Sequence, residues 1–337
     1  MHPPHLPKVL TDQLGASVQY LAILFLLFPL LAYGFAAFRQ WRLIWRWRDL
    51  RQALAPAHIY KTQSVRFDIS MFWMQIFLIL PPVTYVGALY TAGQFAKVLN
   101  AHLGAPTIGL GAGHPIVATT IQVLTSELLG TFGAYIFHYA GHKVPLFWTL
   151  HQVHHSTDAL SPFTAVRGHP VDTVLGVVIG EAWRVVVVGA ALYFTGGGFT
   201  PTAISLFAIL SLASLVQAAL NHTHVPLCYG WFNRFWVGPS FHQIHHSAEL
   251  KHRDKNLGGG VPIWDWVFGT LYLPQPGETY VMGLNEESLG EANPHNSFRG
   301  YMIEPMVAFR EELGRLLRAA FARPSGLDQN ATQTPLR

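Results

Sequence analysis

Charged residues and cysteine are both scarce in this sequence. Only 12% of the 337 residues are charged, whereas 50% are hydrophobic, and an average soluble domain carries roughly 25% charged residues. Such a chain cannot cover a folded surface with polar groups, so the composition argues against a water-soluble protein. The single cysteine, Cys228, excludes an internal disulfide bond and thiolate-held iron–sulfur clusters, which need several cysteines.

The hydrophobic residues are gathered into runs of the length that crosses a bilayer, roughly 20 residues. These runs cover residues 18–38, 69–90, 116–137, 171–194 and 202–220. The second contains Pro81-Pro82, which predicts a broken helix or a helical hairpin. Gly196-Gly197-Gly198 separates the last two, which predicts a tight transmembrane hairpin. The sequence therefore predicts an all-α fold, a polytopic membrane helical bundle, with Glu127, Glu181 and Arg184 facing its interior.

Arginine and tryptophan alternate in residues 39–51, directly after the first run. A nucleic-acid-binding stripe could have this composition, but beside a membrane span it is more typical of an interfacial helix, and we expect no nucleic acid partner. Because arginine-rich loops remain in the cytoplasm, this segment orients the chain. Counting crossings from it places the residues after 137 and after 220 on the cytoplasmic side, so we predict a multi-pass membrane protein.

The sequence has eighteen histidines, most of them concentrated in a few short strings, and these strings fall on that side. The strings hold His138 and His142, then His151, His154 and His155, then His222 and His224, and last His242, His245 and His246. Spacings of three and four residues place side chains on one face of a helix. Within each HQ-x-HH string the two adjacent histidines can therefore point toward two different metal ions.

This many imidazoles exceeds the needs of one zinc ion, which takes about four ligands. The sequence therefore predicts a two-metal site, and imidazole-rich ligation suits iron, copper, nickel or zinc. His222 is a stronger ligand candidate than His224, because residues spaced by two point to different sides of a helix. A metal transporter or storage protein, a haem-b electron carrier and a zinc-dependent hydrolase remain alternatives at this point. The absence of HExxH argues against a zincin protease.

At these residues the sequence resembles the fatty acid hydroxylase and sterol desaturase superfamily of membrane di-iron oxygenases. The resemblance rests on HYAGH, HQVHH and HQIHH in this order, with RGHP at 167–170, DKNLG at 254–258 and WDWVFGT at 264–270. It implies a cytoplasmic cap that holds two non-haem iron ions above a lipid tunnel, with dioxygen as co-substrate. The ligand roles then fall on the histidines of the three boxes and on His222, while His224 occupies a position where bacterial members carry asparagine.

The resemblance also implies an oxidoreductase, a monooxygenase that hydroxylates or desaturates a lipid: fatty acyl, sphingoid, sterol or related. Because outer-shell groups commonly accept the second N–H of a metal-bound histidine, we expect Asp254, Asn256 and Asp265 to orient ligand rings and His169 to have a supporting role. The glycine-rich stretch at 109–113 lacks the context of a dinucleotide loop. We therefore expect an external electron donor, a ferredoxin or a haem-b carrier with its reductase.

Four parts follow along the chain. Residues 1–65 hold the first span and the basic interfacial helix, and residues 66–137 hold further membrane spans. Residues 138–275 form the histidine-rich catalytic region, including the transmembrane hairpin at 171–220. Residues 276–337 form a C-terminal extension with a disordered tail from about Arg323.

Overall fold

The structure is a computed structural model, and it describes residues 55–321 apart from 80, 107–108, 111–112, 197, 226–227, 276–277, 279–280 and 285–292. The expected span at 18–38, the arginine-rich interfacial helix and the C-terminal tail lie outside the described residues. Within the described part, β pairing is limited to one isolated bridge between Ser247 and Met282. The prediction of a helical protein is confirmed for this part of the chain.

The helices follow one another with short connections. They are α1 (Ala57–Tyr60), α2 (Gln63–Ile79), α3 (Pro81–Leu103), α4 (Pro115–Lys143), α5 (Pro145–His155), α6 (Pro170–Phe194), α7 (Pro201–Asn221), α8 (Pro239–His245), α9 (Ile263–Val267) and α10 (Glu304–Phe321). A π turn, Thr125–Leu129, interrupts α4, and a second, Arg299–Ile303, precedes α10. Single 3₁₀ turns lie at Pro162–Val166, Gly230–Arg234, Leu250–His252 and Pro294–Asn296.

Proline is the first residue of six described helices, α3 to α8. At this position its fixed φ suits the helix and its missing N–H is not needed. Proline also divides the hydrophobic run at 69–90, because α2 ends at Ile79 and α3 begins at Pro81. These two helices do not pack along each other, so the run is a broken helix and not a hairpin.

Helix α6 packs along both α3 and α4. Glycine permits the close approach: a Cβ at Gly189 would lie 2.6 Å from Phe95 Cδ1 and 3.0 Å from the Ala92 carbonyl oxygen, and a Cβ at Gly133 would lie 2.6 Å from Trp183 Cβ. Small residues at such contacts let helix backbones come together, as they do inside membranes. The buried cluster between α3 and α6 consists of Ala92, Ala96, Val188, Leu192 and Tyr193.

Among the described helices, α4 and α6 are long and apolar enough to cross a membrane. Only 33% and 22% of their apolar windows are buried inside the protein, whereas the core helix of a soluble protein is mostly buried. The two helices therefore indicate membrane association. On their facing sides, Arg184 donates to Glu181 at 3.2 Å and to the Ser126 hydroxyl of the π turn at 3.2 Å.

The tight hairpin expected for residues 171–220 is wrong in its packing. Helices α6 and α7 are joined by a short turn, but they do not pack along each other, and each instead contacts α4. Gln122 of α4 binds the turn between them, since its amide donates to the Thr195 hydroxyl at 2.9 Å and to the Gly198 carbonyl at 3.0 Å, and accepts from the Thr200 N–H at 3.2 Å. Helix α4 therefore lies against this turn.

Candidate metal centre

Nine histidines from four elements converge at the C-terminal end of α4. The five-histidine group contains His138, His142, His151, His155 and His245, and the four-histidine group contains His154, His222, His242 and His246. Within each group the candidate ligand atoms all lie within 4.8 Å of one another. Because an imidazole nitrogen lies about 2.1 Å from a bound metal, two ligands on opposite sides of one ion are about 4.2 Å apart. Each group therefore has the dimensions of one ion's ligand shell.

Adjacent histidines of each HQ-x-HH string belong to different groups. His154 and His155 separate in this way on α5, and His245 and His246 separate at the end of α8. The groups are in contact, since the ring centroids of His155 and His246 are 4.7 Å apart. The two candidate metal positions are thus neighbours within one site.

Backbone carbonyls fix the orientation of several rings through Nδ1. His138 Nδ1 donates to the Leu257 carbonyl at 2.7 Å, and His245 Nδ1 donates to the Lys255 carbonyl at 2.9 Å. In the four-histidine group, the carbonyls of Arg167 and Ala218 accept from His154 and His222 at 2.7 and 2.8 Å. When Nδ1 carries the proton, Nε2 presents its lone pair to the interior of the group.

The inward nitrogens have the arrangement that a metal requires. In the five-histidine group all five Nε2 atoms are buried without a hydrogen-bond partner among the described residues, although buried polar atoms nearly always have one. In the four-histidine group, His242 Nε2 lies 2.9 Å from His222 Nε2 and 3.2 Å from His246 Nε2. Neighbouring nitrogen ligands on one ion are about 3 Å apart, so both groups fit a metal ion.

Burial keeps the rings neutral and able to ligate. Desolvation lowers the pKa of His222 to about 4. Burial, and then the neighbouring imidazoles, lower the pKa of His154, His155, His242, His245 and His246 well below the usual range. A neutral imidazole is the form that binds a metal, because protonation removes the lone pair.

Comparison with known proteins assigns this region to a family. The family model for fatty acid hydroxylase matches residues 123–270, a stretch that includes all nine histidines. Residues 123–270 therefore form a fatty acid hydroxylase domain. No solved structure matches it.

Three proteins similar to this chain are named for an ornithine lipid, an alkylglycerol and a very-long-chain aldehyde. The ornithine lipid hydroxylase of Rhizobium tropici is 28% identical over 153 residues, 45% of this chain and 42% of the relative. The alkylglycerol monooxygenase of Homo sapiens is 30% identical over 180 residues, 53% and 35% of the two chains. The very-long-chain aldehyde decarbonylase GL1-11 of Oryza sativa subsp. indica is 30% identical over 167 residues, 48% and 58%. The match thus spans less than half the length of the first two relatives.

The DKNLG motif of this hydroxylase-family domain forms a loop that aims carbonyls at two rings. Asp254 and Asn256 have φ values of 59° and 55°, a left-handed conformation that aspartate and asparagine tolerate better than most residues. Asn256 anchors the loop by donating to the Phe241 carbonyl at 3.1 Å and accepting from the Tyr272 N–H at 2.7 Å. The strained backbone thus directs the Lys255 and Leu257 carbonyls toward His245 and His138.

The three residues expected to contact ligand rings act in two different ways. Asp254 lies against a ring directly, with Oδ1 3.4 Å from His142 Nδ1, and it also pairs with Lys143. Partial burial raises its pKa, but the hydrogen bonds from His142 and Lys143 outweigh this and lower the pKa to about 2. Asn256 and Asp265 contact the loop and not a ring, because the Asp265 carboxylate accepts from the N–H groups of residues 257 and 258 at 2.7 and 2.8 Å.

The sequence does not identify Asp172 as a site residue, although Asp172 contacts the His151 ring directly. Its Oδ2 accepts from His151 Nδ1 at 2.9 Å, and both side chains are buried. Asp172 lies in the first turn of α6, where an acidic residue is common for reasons of helix stability alone. The only available signal was its position two residues after the RGHP motif.

His169 and His224 lie outside both groups. His169 caps α6 by accepting from the Val171 N–H at 3.2 Å, and its Nε2 donates to the Met302 carbonyl at 3.1 Å. His224 has its ring edge against Tyr60, with centroids 6.3 Å apart. Of His222 and His224, only His222 therefore belongs to one of the two histidine groups.

A cavity of about 430 Å³ opens beside the five-histidine group. His142, His155 and His245 form part of its wall, together with the aromatic ring of Trp148. Charged side chains form another part of the wall, namely those of Lys143, Glu249, Arg253 and Asp254. The cavity therefore borders this group, whose Nε2 atoms are themselves buried.

Proposed function

We propose that the protein is a membrane-bound, non-haem di-iron oxidoreductase that uses dioxygen to hydroxylate or desaturate a lipid. The observation that carries the proposal is the pair of contacting histidine groups, each with the dimensions of one ion's ligand shell. Imidazole suits iron among several transition metals, and the family match favours iron among them. Two bound irons would supply the oxidising power that activates dioxygen for attack on an unactivated C–H bond.

The chain's own residues contribute orientation and exclusion of water. The carbonyls of Arg167, Ala218, Lys255 and Leu257 hold four rings through Nδ1, which fixes the direction of each Nε2 lone pair. Burial of the rings keeps bulk water away from the site and keeps the rings neutral. The Asp254 and Asp172 carboxylates make the rings they contact more basic.

Membrane placement gives the site access to a lipid. Helices α4 and α6 would cross the bilayer, together with the hydrophobic runs at 18–38, 69–90 and 202–220, in a multi-pass arrangement with the histidines on the cytoplasmic side. The relatives' names mention an ornithine lipid and an alkylglycerol, which supports a lipid substrate. We propose that electrons come from a separate ferredoxin or haem-b carrier with its reductase.

The metal content tests the proposal directly. Anaerobically purified protein should hold about two irons per chain, with Mössbauer signals of non-haem iron and no haem absorption. His154→Ala should lower the iron content, whereas His252→Ala, which removes a buried histidine outside both groups, should retain two irons. A single zinc ion per chain would contradict the di-iron proposal and favour a zinc-dependent hydrolase.

The product identifies the reaction. Expression in a host of defined lipid composition, followed by lipid mass spectrometry, should reveal a lipid that gains one oxygen or loses two hydrogens. The same lipid should be unchanged in a host expressing His154→Ala. Turnover by the purified protein with NADPH alone would contradict the separate electron donor.

A further inference from the structure

The backbone between α5 and α6 connects the two histidine groups. The Arg167 carbonyl accepts from His154 Nδ1 at 2.7 Å, and three residues later α6 begins at Pro170. The first turn of α6 carries Asp172, which holds His151. A displacement of residues 167–169 would therefore move a contact of one ring in each group.

The Arg167 side chain is held by residues that are distant in sequence. It is 3% exposed, and its guanidinium donates to the Asp68 carboxylate of α2 at 2.5 Å. It also donates to the Asn296 side-chain oxygen at 3.1 Å and to the Ser156 hydroxyl at 2.8 Å. Asn296 in turn donates to Ser64 of α2 at 2.9 Å, so the C-terminal segment and α2 hold the arginine together.

Gly168 is held at its backbone by the same two parts of the chain. The fully buried Tyr301 hydroxyl accepts from the Gly168 N–H at 3.0 Å and donates to the Gly168 carbonyl at 2.6 Å. The Gln75 amide of α2 donates to the same carbonyl at 2.5 Å and to the Tyr301 hydroxyl at 2.7 Å. A backbone unit with both its N–H and its C=O bonded to buried side chains has little freedom to shift.

We propose that Asp68, Gln75, Asn296 and Tyr301 form a clamp that positions His154 for metal binding by fixing the Arg167-Gly168 backbone. All four residues lie outside the region that matches the family, residues 123–270. The matched domain would therefore depend on flanking parts of this chain for the geometry of one ligand. This proposal rests on the proposed function, because it concerns the affinity of the four-histidine group for its metal.

Tyr301→Phe tests the clamp with the loss of one oxygen atom. Outer-shell changes typically weaken metal binding by 10- to 100-fold, and Tyr301 acts through the backbone, so we expect about a tenfold loss in the four-histidine group. Tyr193→Phe is the matched control, because the Tyr193 hydroxyl is also largely buried and donates to a carbonyl, that of Gly104, at 2.9 Å. Iron-loaded wild type and both variants would be titrated with a chelator, with retained iron measured by metal analysis and Mössbauer spectroscopy.

The clamp predicts that Tyr301→Phe loses one of its two irons at about tenfold lower chelator concentration, with the other iron and the Tyr193→Phe control unchanged. A second variant repeats the test at Asn296. Asn296→Leu should lose the same iron, because leucine can neither accept from Arg167 nor donate to Ser64, whereas Tyr193→Phe again serves as the control.

Two results would overturn the clamp alone: wild-type chelator midpoints in both Tyr301→Phe and Asn296→Leu, or an equal shift in Tyr193→Phe. A general loss of stability from lost packing would lower the unfolding temperature without selecting one iron. Wild-type protein that does not hold two irons would instead contradict the proposed function, and the clamp with it.

Discussion

Asp172→Ala should weaken metal binding in the five-histidine group. The substitution removes the carboxylate that accepts from His151 Nδ1 at 2.9 Å, in a place where both side chains are buried. The His151 ring would lose the group that fixes its rotation, and its buried N–H would lose its acceptor. Asp172→Asn retains an oxygen that can accept the same hydrogen bond but lacks the charge, so it should have an intermediate effect.

The expected loss can be divided into two separable contributions. Removal of an outer-shell partner typically lowers metal affinity by 10- to 100-fold, which corresponds to about 1.4–2.8 kcal/mol. A hydrogen bond to a charged group contributes about 1.5–3 kcal/mol, which agrees with that range. Asp172 also lies in the first turn of α6, where a negative charge stabilises the helix by about 0.3–1 kcal/mol whether or not metal is bound.

Two measurements separate these contributions. Unfolding of the metal-free protein in detergent measures how much Asp172 stabilises α6. Chelator competition on the metal-loaded protein measures metal affinity. We expect a small change in the first and a shift of at least tenfold for one metal in the second. Wild-type metal affinity in Asp172→Ala would refute the positioning role, even if the metal-free protein were destabilised.

Three further outcomes follow from the described residues. His222→Ala should lose one metal, whereas His224→Ala should retain both by metal analysis; loss of metal in both would return His224 to the ligand set. In metal-free protein, the free energy of unfolding should fall as the pH drops from about 6.5 toward 4, by about 3 kcal/mol for His222 alone. The reason is that the His222 ring binds a proton in the unfolded chain, whereas in the folded protein its lowered pKa keeps it neutral. A denaturant midpoint independent of pH would contradict this. Gly300→Ala should lower the unfolding temperature, because its Cβ would overlap the Pro294 carbonyl oxygen; an unchanged temperature would show that this turn adjusts freely.

Helical spacing explains why the candidate metal-binding histidines could be recognised from sequence. His138 and His142 lie on one face of α4 because a helix repeats every 3.6 residues, and the structure places both in one group. The same periodicity lets His154 and His155 diverge into two groups. These relations are local, so a short stretch of sequence contains all the information they need.

The supports of the ligands could not be recognised because they depend on distant contacts. Tyr301 is 133 residues from Gly168, and Asn296 is 129 residues from Arg167, and no local pattern marks either pair. The sequence predicts that Asn256 contacts a ligand ring, whereas in the structure its left-handed backbone and its hydrogen bonds to Phe241 and Tyr272 shape the loop. The packing of α6 and α7 on α4 could not be recognised either, because the hydrogen bonds that join Gln122 to their turn connect residues 73 and 78 positions apart.

Negative charge is distributed unequally between the two groups. The Asp172 and Asp254 carboxylates contact rings of the five-histidine group, whereas His154 and His222 of the other group are held by neutral carbonyls. A carboxylate partner makes an imidazole a more basic ligand, and the pKa of Asp254, lowered to about 2, keeps its charge at every pH at which the protein would be assayed. The five-histidine group also offers one more nitrogen. Both differences favour tighter metal binding in the five-histidine group. During chelation, the four-histidine group should therefore release its metal first. The clamp acts on this weaker group.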